Sequence, residues 1–589
     1  MKITRIFDIL DHYLENYPAQ EVALASKKNK KWNKIGIREY VETTNNISYG
    51  LMKLGIKKGD NIGIVSSNRP EWNMLDFGIM QTGAVSIPIY PTISQDDYRH
   101  ILNHADIKII FIEGKELRMR LEPILPTLKT LKEIYTFDNE GSSYKLLQEL
   151  IELGKENAQP EELAKIKQTI QPNDLATIIY TSGTTGVQKG VMLSHSNIVN
   201  QILNLAETPA KWSKTALSFL PICHAYERMI VYLYQYLGMS VYYAENLGTI
   251  ADNIKEINPT MMTCVPRLLE KIYDKLYLSG KNLSLLQKSI YYWAFNLAKK
   301  YHLEGMSGYY KLKLKIADKL IYSKWRAAIG GNFDIVVSGG SAIPTHIASF
   351  FSAIGMPVFE GYGLSETSPV IAVSQRGKNG RKFGTVGLPL PGVEVKLAER
   401  DEIVCRGHNV MLGYYRDPEL TAQVIDADGW FHTGDTGKFT PEGQLMITGR
   451  LKSIFKTSFG KYVNPQVIEE KFTESPFIEN MIVLGENKKF AAALISPDFV
   501  YLRSWCKKHN INEVYIPNDE LIKHNEVKKR FKDEVAKYNR YFGDYEQIKK
   551  YEIVADSWTM EAGFLSPTLK IKRKVLVNNY SLLIDKLFD

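Results

Sequence analysis

The richest chemistry in this chain lies in one run, Tyr180-Thr-Ser-Gly-Thr-Thr-Gly-Val-Gln-Lys-Gly-Val-Met-Leu-Ser-His195. Ser182, Thr184 and Thr185 offer hydroxyls beside backbone N–H groups, and Gly183 and Gly186 let the backbone turn sharply. Lys189 adds a positive charge. Successive amides closing on one ammonium form an anion trap suited to a polyphosphate. The run is not the common phosphate loop, G-x-x-x-x-G-K-[ST]. Gly183 and Gly186 stand too close together, and Lys189 precedes Gly190.

Gly361-Tyr-Gly-Leu-Ser-Glu366-Thr367 follows a strand-like stretch, Pro357-Val-Phe-Glu360. It begins like a dinucleotide fingerprint but lacks the third glycine, which excludes that reading. Gly361 and Gly363 would let a planar base approach the backbone, with Tyr362 against its face. Glu366 suits a Mg²⁺ held between phosphates, because Mg²⁺ takes oxygen ligands and often only one or two carboxylates. Asp435, in Trp430-Phe-His-Thr-Gly-Asp435, reads either as a ligand-binding carboxylate or as a turn residue in a glycine-rich loop. Leu565-Ser-Pro-Thr-Leu-Lys570-Ile-Lys-Arg-Lys574 reads by composition as a basic tail that attracts anions.

Taken in order, these segments closely resemble the adenylate-forming enzymes, the superfamily of acyl-CoA synthetases, luciferases and peptide-synthetase adenylation domains. The resemblance makes Thr181, Ser182, Gly183, Thr184, Thr185 and Gly186, with Lys189, the ATP phosphate loop. It makes Gly339, Gly340 and Ser341, in Ser338-Gly-Gly-Ser-Ala342, an adenine-side loop. Gly361, Tyr362, Gly363 and Ser365 would surround AMP, with Glu366 on the Mg²⁺ side. Asp435 would hold the two ribose hydroxyls, supported by Arg450. Lys570 would bridge the substrate carboxylate and the α-phosphate. Many members have glycine before that lysine, whereas this chain has Leu569, which leaves Lys572 as a competitor for the role.

Phe219-Leu-Pro-Ile-Cys-His224-Ala-Tyr-Glu-Arg228 and Val265-Pro-Arg-Leu-Leu-Glu-Lys-Ile-Tyr273 are similar to segments of the long-chain fatty acyl-CoA synthetases, with His224 near the acyl pocket mouth. That branch implies ATP, Mg²⁺ and coenzyme A, and two half-reactions served by one site through rotation of a small domain. Lys452 holds the hinge position, and Ser458 and Gly460 would line the CoA channel. The alternatives are a fatty acyl-AMP ligase that loads a carrier protein, a luciferase-like oxidation, and a catalytically dead lipid-binding protein.

The positioning elements are legible from hydrophobic pattern. Asn61-Ile-Gly-Ile-Val reads as a buried strand, Asn73 to Gln81 as a helix and Gly83 to Tyr90 as the next strand, a parallel βαβ unit. Residues 142–170 read as a solvated helical connection. From about 385, alternation in Val393-Glu-Val-Lys-Leu397 and frequent glycines suggest a β-rich subdomain. The expected fold class is α/β. A large N-terminal domain (1–450) of βαβ sheets would carry the β-rich subdomain (385–450), and a smaller mobile α/β domain (451–589) would follow.

Composition sets the outer limits. The 589 residues, 44% hydrophobic and 24% charged, are ordinary for a folded multidomain protein. Cys223, Cys264, Cys405 and Cys506 lack metal-ligand spacing and suggest buried, reduced thiols. The N-terminus does not read as a signal peptide, and no apolar stretch approaches the about 20 residues of a membrane span, so a cytoplasmic location with at most peripheral membrane contact is expected. The net charge is +9. Between Lys271 and Arg326, 12 basic residues face only Asp274, Glu304 and Asp318, among many aromatics. That stretch suits either an anionic lipid surface or a solvated helical face. With no recognisable reading motif, nucleic acid is not expected as a partner.

Overall fold

Strands buried on both faces form the centre of the fold, and they are the near-continuous apolar runs of the sequence. The computed structural model describes residues 2–182, 188–208, 212–377, 379–451, 453–459, 461–509, 511, 516–560, 562–566 and 570–588. The predicted βαβ unit is present: strand Asn61–Val65, helix Pro70–Gln81 and strand Val85–Ile89. The two strands pair in parallel with Asn61 opposite Val85. Proline at the first helical position costs no hydrogen bond there, so the helix begins at Pro70, earlier than its apolar pattern suggests.

This unit belongs to an eight-stranded sheet in the order Gly413–Tyr414, Gln188–Ser194, Leu175–Ser182, Val85–Ile89, Asn61–Val65, Ile109–Ile112, Glu133–Thr136, Lys145–Leu146. A nine-stranded sheet has a central parallel run of Val358–Gly363, Ile335–Ser338, Met261–Cys264, Thr215–Ser218, Ser240–Tyr243 and Leu24–Lys28. The β-rich sheet expected after 385 consists of Val393–Leu397, Glu402–Gly407, Phe431–Phe439 and Leu445–Arg450. Gly413–Tyr414, from the same stretch of sequence, instead joins the eight-stranded sheet, antiparallel to Gln188–Ser194.

The helical connection expected over 142–170 is present as helices Leu147–Glu156 and Pro160–Thr169, largely exposed, but it is more than a solvated link, because it buries Leu147, Leu150, Gly154 and Leu163. A Cβ on Gly154 would lie 1.7 Å from the Asn46 carbonyl oxygen, and one on Gly50 2.5 Å from that of Leu150. The two glycines let this helix lie against helix Ile37–Lys53, a close approach that charged composition conceals.

The chain divides into two compact units. One comprises Met1–Lys396, Val404–Thr433 and Phe439–Leu445, the other Leu397–Ile403, Gly434–Lys438 and Met446–Asp589. The second contains the sheet Ile478–Leu484, Ala491–Pro497, Ile548–Ile553 and its own apolar core, which includes Phe472, Phe477, Leu502 and Phe531. All four cysteines are buried and unbridged. Among the described residues no helix is long and apolar enough to cross a membrane.

Candidate active site

The anion-trap run begins and ends in two paired strands. Strand Leu175–Ser182 pairs antiparallel with Gln188–Ser194, with Thr181 opposite Lys189 and Ser182 opposite Gln188. Gly183, Thr184, Thr185 and Gly186 fall between these strands, outside the described residues. Lys189 is thus a strand residue. Gly190 behind it is closely packed, since a Cβ there would lie 2.7 Å from the Ile178 side chain. His195, which closes the run, is structural. Its Nδ1 accepts the Ile6 N–H at 3.2 Å, and burial pushes its pKa down to about 3.

The added strand Gly413–Tyr414 connects two motifs. The Tyr414 hydroxyl donates to Glu366 Oε1 at 2.9 Å. The Lys189 ammonium lies over the Tyr414 ring, 5.1 Å from its centroid. Met411 N–H donates to the Glu366 carbonyl at 2.9 Å and Tyr415 N–H to that of Gly190 at 2.7 Å, so backbone bonds also fasten this strand to both motifs. Burial, reinforced by the Glu366 carboxylate, holds the Tyr414 phenol well above its usual pKa, and it stays a donor.

Tyr414 occupies Oε1, leaving Oε2 of Glu366 for a cation. Among the described residues no cluster of three or more His, Cys, Asp or Glu side chains could cage a metal. One carboxylate oxygen fits a Mg²⁺ whose other ligands are phosphate oxygens and water.

Around Glu366 the backbone is tightly tied. Glu366 lies in the short 3₁₀ turn Ser365–Thr367, whose Thr367 hydroxyl donates to the Pro369 carbonyl at 2.7 Å. Ser365 is buried. Gly363 serves the chain's own turn, because a Cβ there would lie 1.7 Å from the Pro369 carbonyl oxygen. Gly361 meets only ordinary contacts. Tyr362 stands on strand Val358–Gly363 opposite Ala372. In the run Ser338 to Ala342, a Cβ on Gly339 would press on the Tyr226 ring at 3.1 Å, and Gly340 has φ +84°. Gly340 and Ser341 are exposed.

His224 caps helix Ala225–Tyr236, its Nδ1 accepting the Tyr226 N–H at 3.2 Å. In the neutral ring the proton therefore sits on Nε2. Its ring meets Tyr90 edge-on at 6.3 Å. One turn on, Arg228 is fully buried and pairs with Asp76 at 2.5 Å, while its Nη1 donates to Thr177 Oγ1 at 2.7 Å. Thr177 lies on strand Leu175–Ser182. This network couples His224's helix to that strand. Glu227 accepts from Ser218 at 2.6 Å and Thr263 at 2.5 Å, and burial pushes its pKa up to about 7.

In the second unit, Asp435 is 4% exposed and takes Arg450 Nε at 2.7 Å. The Gly449–Arg450 step has a physical cause: a Cβ on Gly449 would lie 2.1 Å from Asn464 Nδ2, which donates to the Thr448 carbonyl at 2.9 Å. Ser453 and Ile454 N–H groups return to the Arg450 carbonyl at 3.1 and 3.2 Å. The hinge candidate Lys452 and Gly460 lie outside the described residues. Ser458 is exposed and its N–H donates to the Lys488 carbonyl at 2.9 Å. Lys570 is exposed, and the Ser566 N–H donates to its carbonyl at 2.7 Å. Arg573 does not wait for an anion, since it pairs with Glu469. Lys572 immediately precedes helix Arg573–Asn579.

Tyr414, Asp76 and Thr177 escape a sequence reading. Gly413-Tyr-Tyr415 is visible as an aromatic pair, but no spacing rule ties it to a carboxylate 48 residues away.

Known proteins bear on this arrangement. The AMP-binding enzyme family matches residues 10–415, and the AMP-binding enzyme C-terminal domain matches 453–589. Fatty acyl-CoA synthetase A of Dictyostelium discoideum is 32% identical, covering 96% of this chain and 87% of that protein. The long-chain-fatty-acid–CoA ligase FadD15 of Mycobacterium bovis is 32% identical over 95% of this chain and 93% of its own. Among solved structures, the adenylation domain of a Mycobacterium chelonae carboxylate reductase superposes with a TM-score of 0.76 at 20% identity, covering 99% of this chain and 91% of that one. The anthranilate CoA ligase AuaEII, in complex with anthranoyl-AMP, superposes with 0.69 at 18% identity, covering 98% and 97%. At these identities the superpositions establish the shared fold.

Proposed function

The chain belongs to the AMP-binding enzyme family, and from that premise we propose how its own residues divide the work of a long-chain fatty acid–CoA ligase. The reaction uses ATP, Mg²⁺ and CoA. A fatty carboxylate oxygen attacks the α-phosphorus of ATP, the bond to the pyrophosphate oxygen breaks, and acyl-AMP forms. The CoA sulfur then attacks the acyl carbon, AMP leaves with its electron pair, and the thiol proton is released.

Two anions must meet, and negative charge builds on the α-phosphoryl oxygens, so the site's task is electrostatic. Lys189 and the 181–186 loop bind the polyphosphate. Glu366 would hold Mg²⁺, and the ion when bound would neutralise phosphate charge. Ser365 hydrogen-bonds the α-phosphate, Tyr362 lies on the adenine, and Gly339 to Ser341 line its edge. Asp435, pre-oriented by Arg450, accepts the ribose hydroxyls. His224 stands at the acyl side with an Nε2 proton to donate. Lys570 bridges carboxylate and phosphate in the first half-reaction. Domain rotation about Lys452, after a boundary near residue 450, then replaces it with Ser458 and Gly460 beside the pantetheine. The observation that carries this division is Tyr414 joining the carboxylate of Glu366 and the ammonium of Lys189, which come from motifs far apart in sequence.

Through 271–326 the enzyme also makes peripheral contact with an anionic membrane, where its substrate partitions. The test of the ligase reading is fatty-acid-dependent exchange of labelled pyrophosphate into ATP, followed by addition of CoA. Exchange with a long-chain acid such as palmitate, then thioester, is the expected result. Exchange without thioester would move the function to carrier-protein loading, and no exchange would refute the reading.

A further inference from the structure

The basic aromatic stretch contains one helix whose outer face is built from two parallel rows. Helix Gly308–Ala317 runs through a π-helical turn, Asp318–Tyr322, into Ser323–Ile329. Leu312, Ile316 and Leu320 recur every four residues, and Lys311, Lys315 and Lys319 form the row beside them. The apolar row points outward: Leu312 is 55% exposed, Ile316 46% and Leu320 42%, with Tyr309 before them at 69%. The opposite face is the docked one. Ala317, Tyr322 and Trp325 are buried, and the Tyr310 and Tyr322 hydroxyls donate to the carbonyls of Leu297 at 2.6 Å and Ala294 at 2.7 Å. The exposed row is therefore not a displaced core face.

The charges are equally one-sided. Helix Gly308–Ala317 contains no acid. Asp318, the nearest one, is taken by Arg326 at 2.5 Å. Among the described residues, Lys311, Lys315 and Lys319 have no salt-bridge partner, and the Lys313 ammonium lies 4.1 Å from the Tyr309 ring centroid. Leu285 and Leu286, opening the helix on which this one packs, are also exposed.

We propose that this face docks on an anionic lipid surface, with the Tyr309–Leu320 row in the headgroup–acyl boundary and the lysine row among the lipid phosphates. The inference rests on the fatty-acid reading above and deepens its membrane contact. A row of roughly 16 Å, from eleven rises of an α-helix, matches a helix lying in the interfacial plane and is far too short to span it. A second copy of the same face packed antiparallel would set lysine row against lysine row. A nucleic acid would pair with the lysines but leave the apolar row in water. A bilayer surface satisfies both rows at once.

The test is co-sedimentation of the full chain, without substrates, on vesicles of phosphatidylglycerol mixed with phosphatidylcholine and on phosphatidylcholine alone. The wild type should partition onto the anionic vesicles and much less onto the neutral ones. Lys311→Gln with Lys315→Gln and Lys319→Gln should lower partition about a hundredfold. Leu312→Ser with Ile316→Ser should lower it about tenfold. Both variants should keep wild-type pyrophosphate exchange on a detergent-dispersed acid, since these side chains are exposed. Variants that bind as the wild type does, or a wild type indifferent to lipid charge, would overturn the proposal. So would an apolar-row variant that changes only the sedimented mass in solution, which would assign the face to protein contact. A wild type that binds vesicles but performs no exchange would refute the ligase reading and leave the docking face standing.

Discussion

Replacing Tyr414 by phenylalanine removes one hydroxyl and leaves the ring under Lys189, isolating the hydrogen bond to Glu366. The bond runs from a buried phenol to a half-buried carboxylate at 2.9 Å. Hydrogen bonds to charged groups contribute roughly 1.5–3 kcal/mol, and partial exposure of Glu366 argues for the lower end. At about 1.4 kcal/mol per decade, Tyr414→Phe should slow adenylation about tenfold. The loss should concentrate in metal dependence, because an unanchored Glu366 must be ordered when Mg²⁺ binds. The half-saturating Mg²⁺ concentration in pyrophosphate exchange should therefore rise several-fold. A calorimetric titration with Mg²⁺ and a non-hydrolysable ATP analogue should show the same weakening without turnover. Tyr414→Ala should fall further, by about 0.5–2 kcal/mol, through loss of the ring beneath Lys189. A folded Tyr414→Phe protein with wild-type metal dependence and analogue affinity would refute the positioning role.

Four further outcomes are expected. Glu360, buried beside the Gly361 motif, has its pKa pushed up to about 8 by burial, which opposing charge from Arg381 does not offset. The folded protein thus keeps a proton that the unfolded chain releases above the usual carboxylate range. The stability this contributes is full below the unfolded pKa and is lost as pH rises through 8, at a slope of at most about 1.4 kcal/mol per unit. Glu360→Gln should flatten the fall of the thermal midpoint between these limits, and parallel profiles would contradict the assignment. Lys570→Ala should cut adenylation by about 10²–10³ while sparing thioester formation from supplied acyl-AMP. Lys452→Pro should do the reverse, and coincident profiles would refute domain alternation. Asp76→Ala strands Arg228, buried and charged, and should cost about 3–5 kcal/mol. It would be read as a lower midpoint in chemical unfolding, and a loss below 1 kcal/mol would show the pair to be dispensable.

What the sequence determined by itself was the chemistry and its local scaffolding. Glycines, hydroxyls, one lysine and one carboxylate have meaning through short spacings, and strands such as Asn61–Val65 announce themselves by continuous apolar runs. The resemblance assigned Asp435 and Arg450 to the same ribose, but their ion pair appears only in the structure. The rest is non-local. Strand pairing depends on which edge is free, so no pattern sent Gly413–Tyr414 to strand Gln188–Ser194 and away from the β-rich sheet that surrounds it in sequence. Helix Leu147–Glu156 looked solvated because its contact is made by Gly154 against backbone, and glycine adds nothing to an apolar pattern. Gly363 was read as room for a base, yet the Pro369 carbonyl occupies that space, an approach that only the folded turn creates. The lysine and leucine rows on Gly308–Ala317 were visible as letters, but which face is buried was decided by Tyr310, Tyr322 and Trp325 finding partners elsewhere in the chain. Composition and period are properties of neighbours in sequence. Burial and partner choice belong to residues that meet only when the chain has closed on itself.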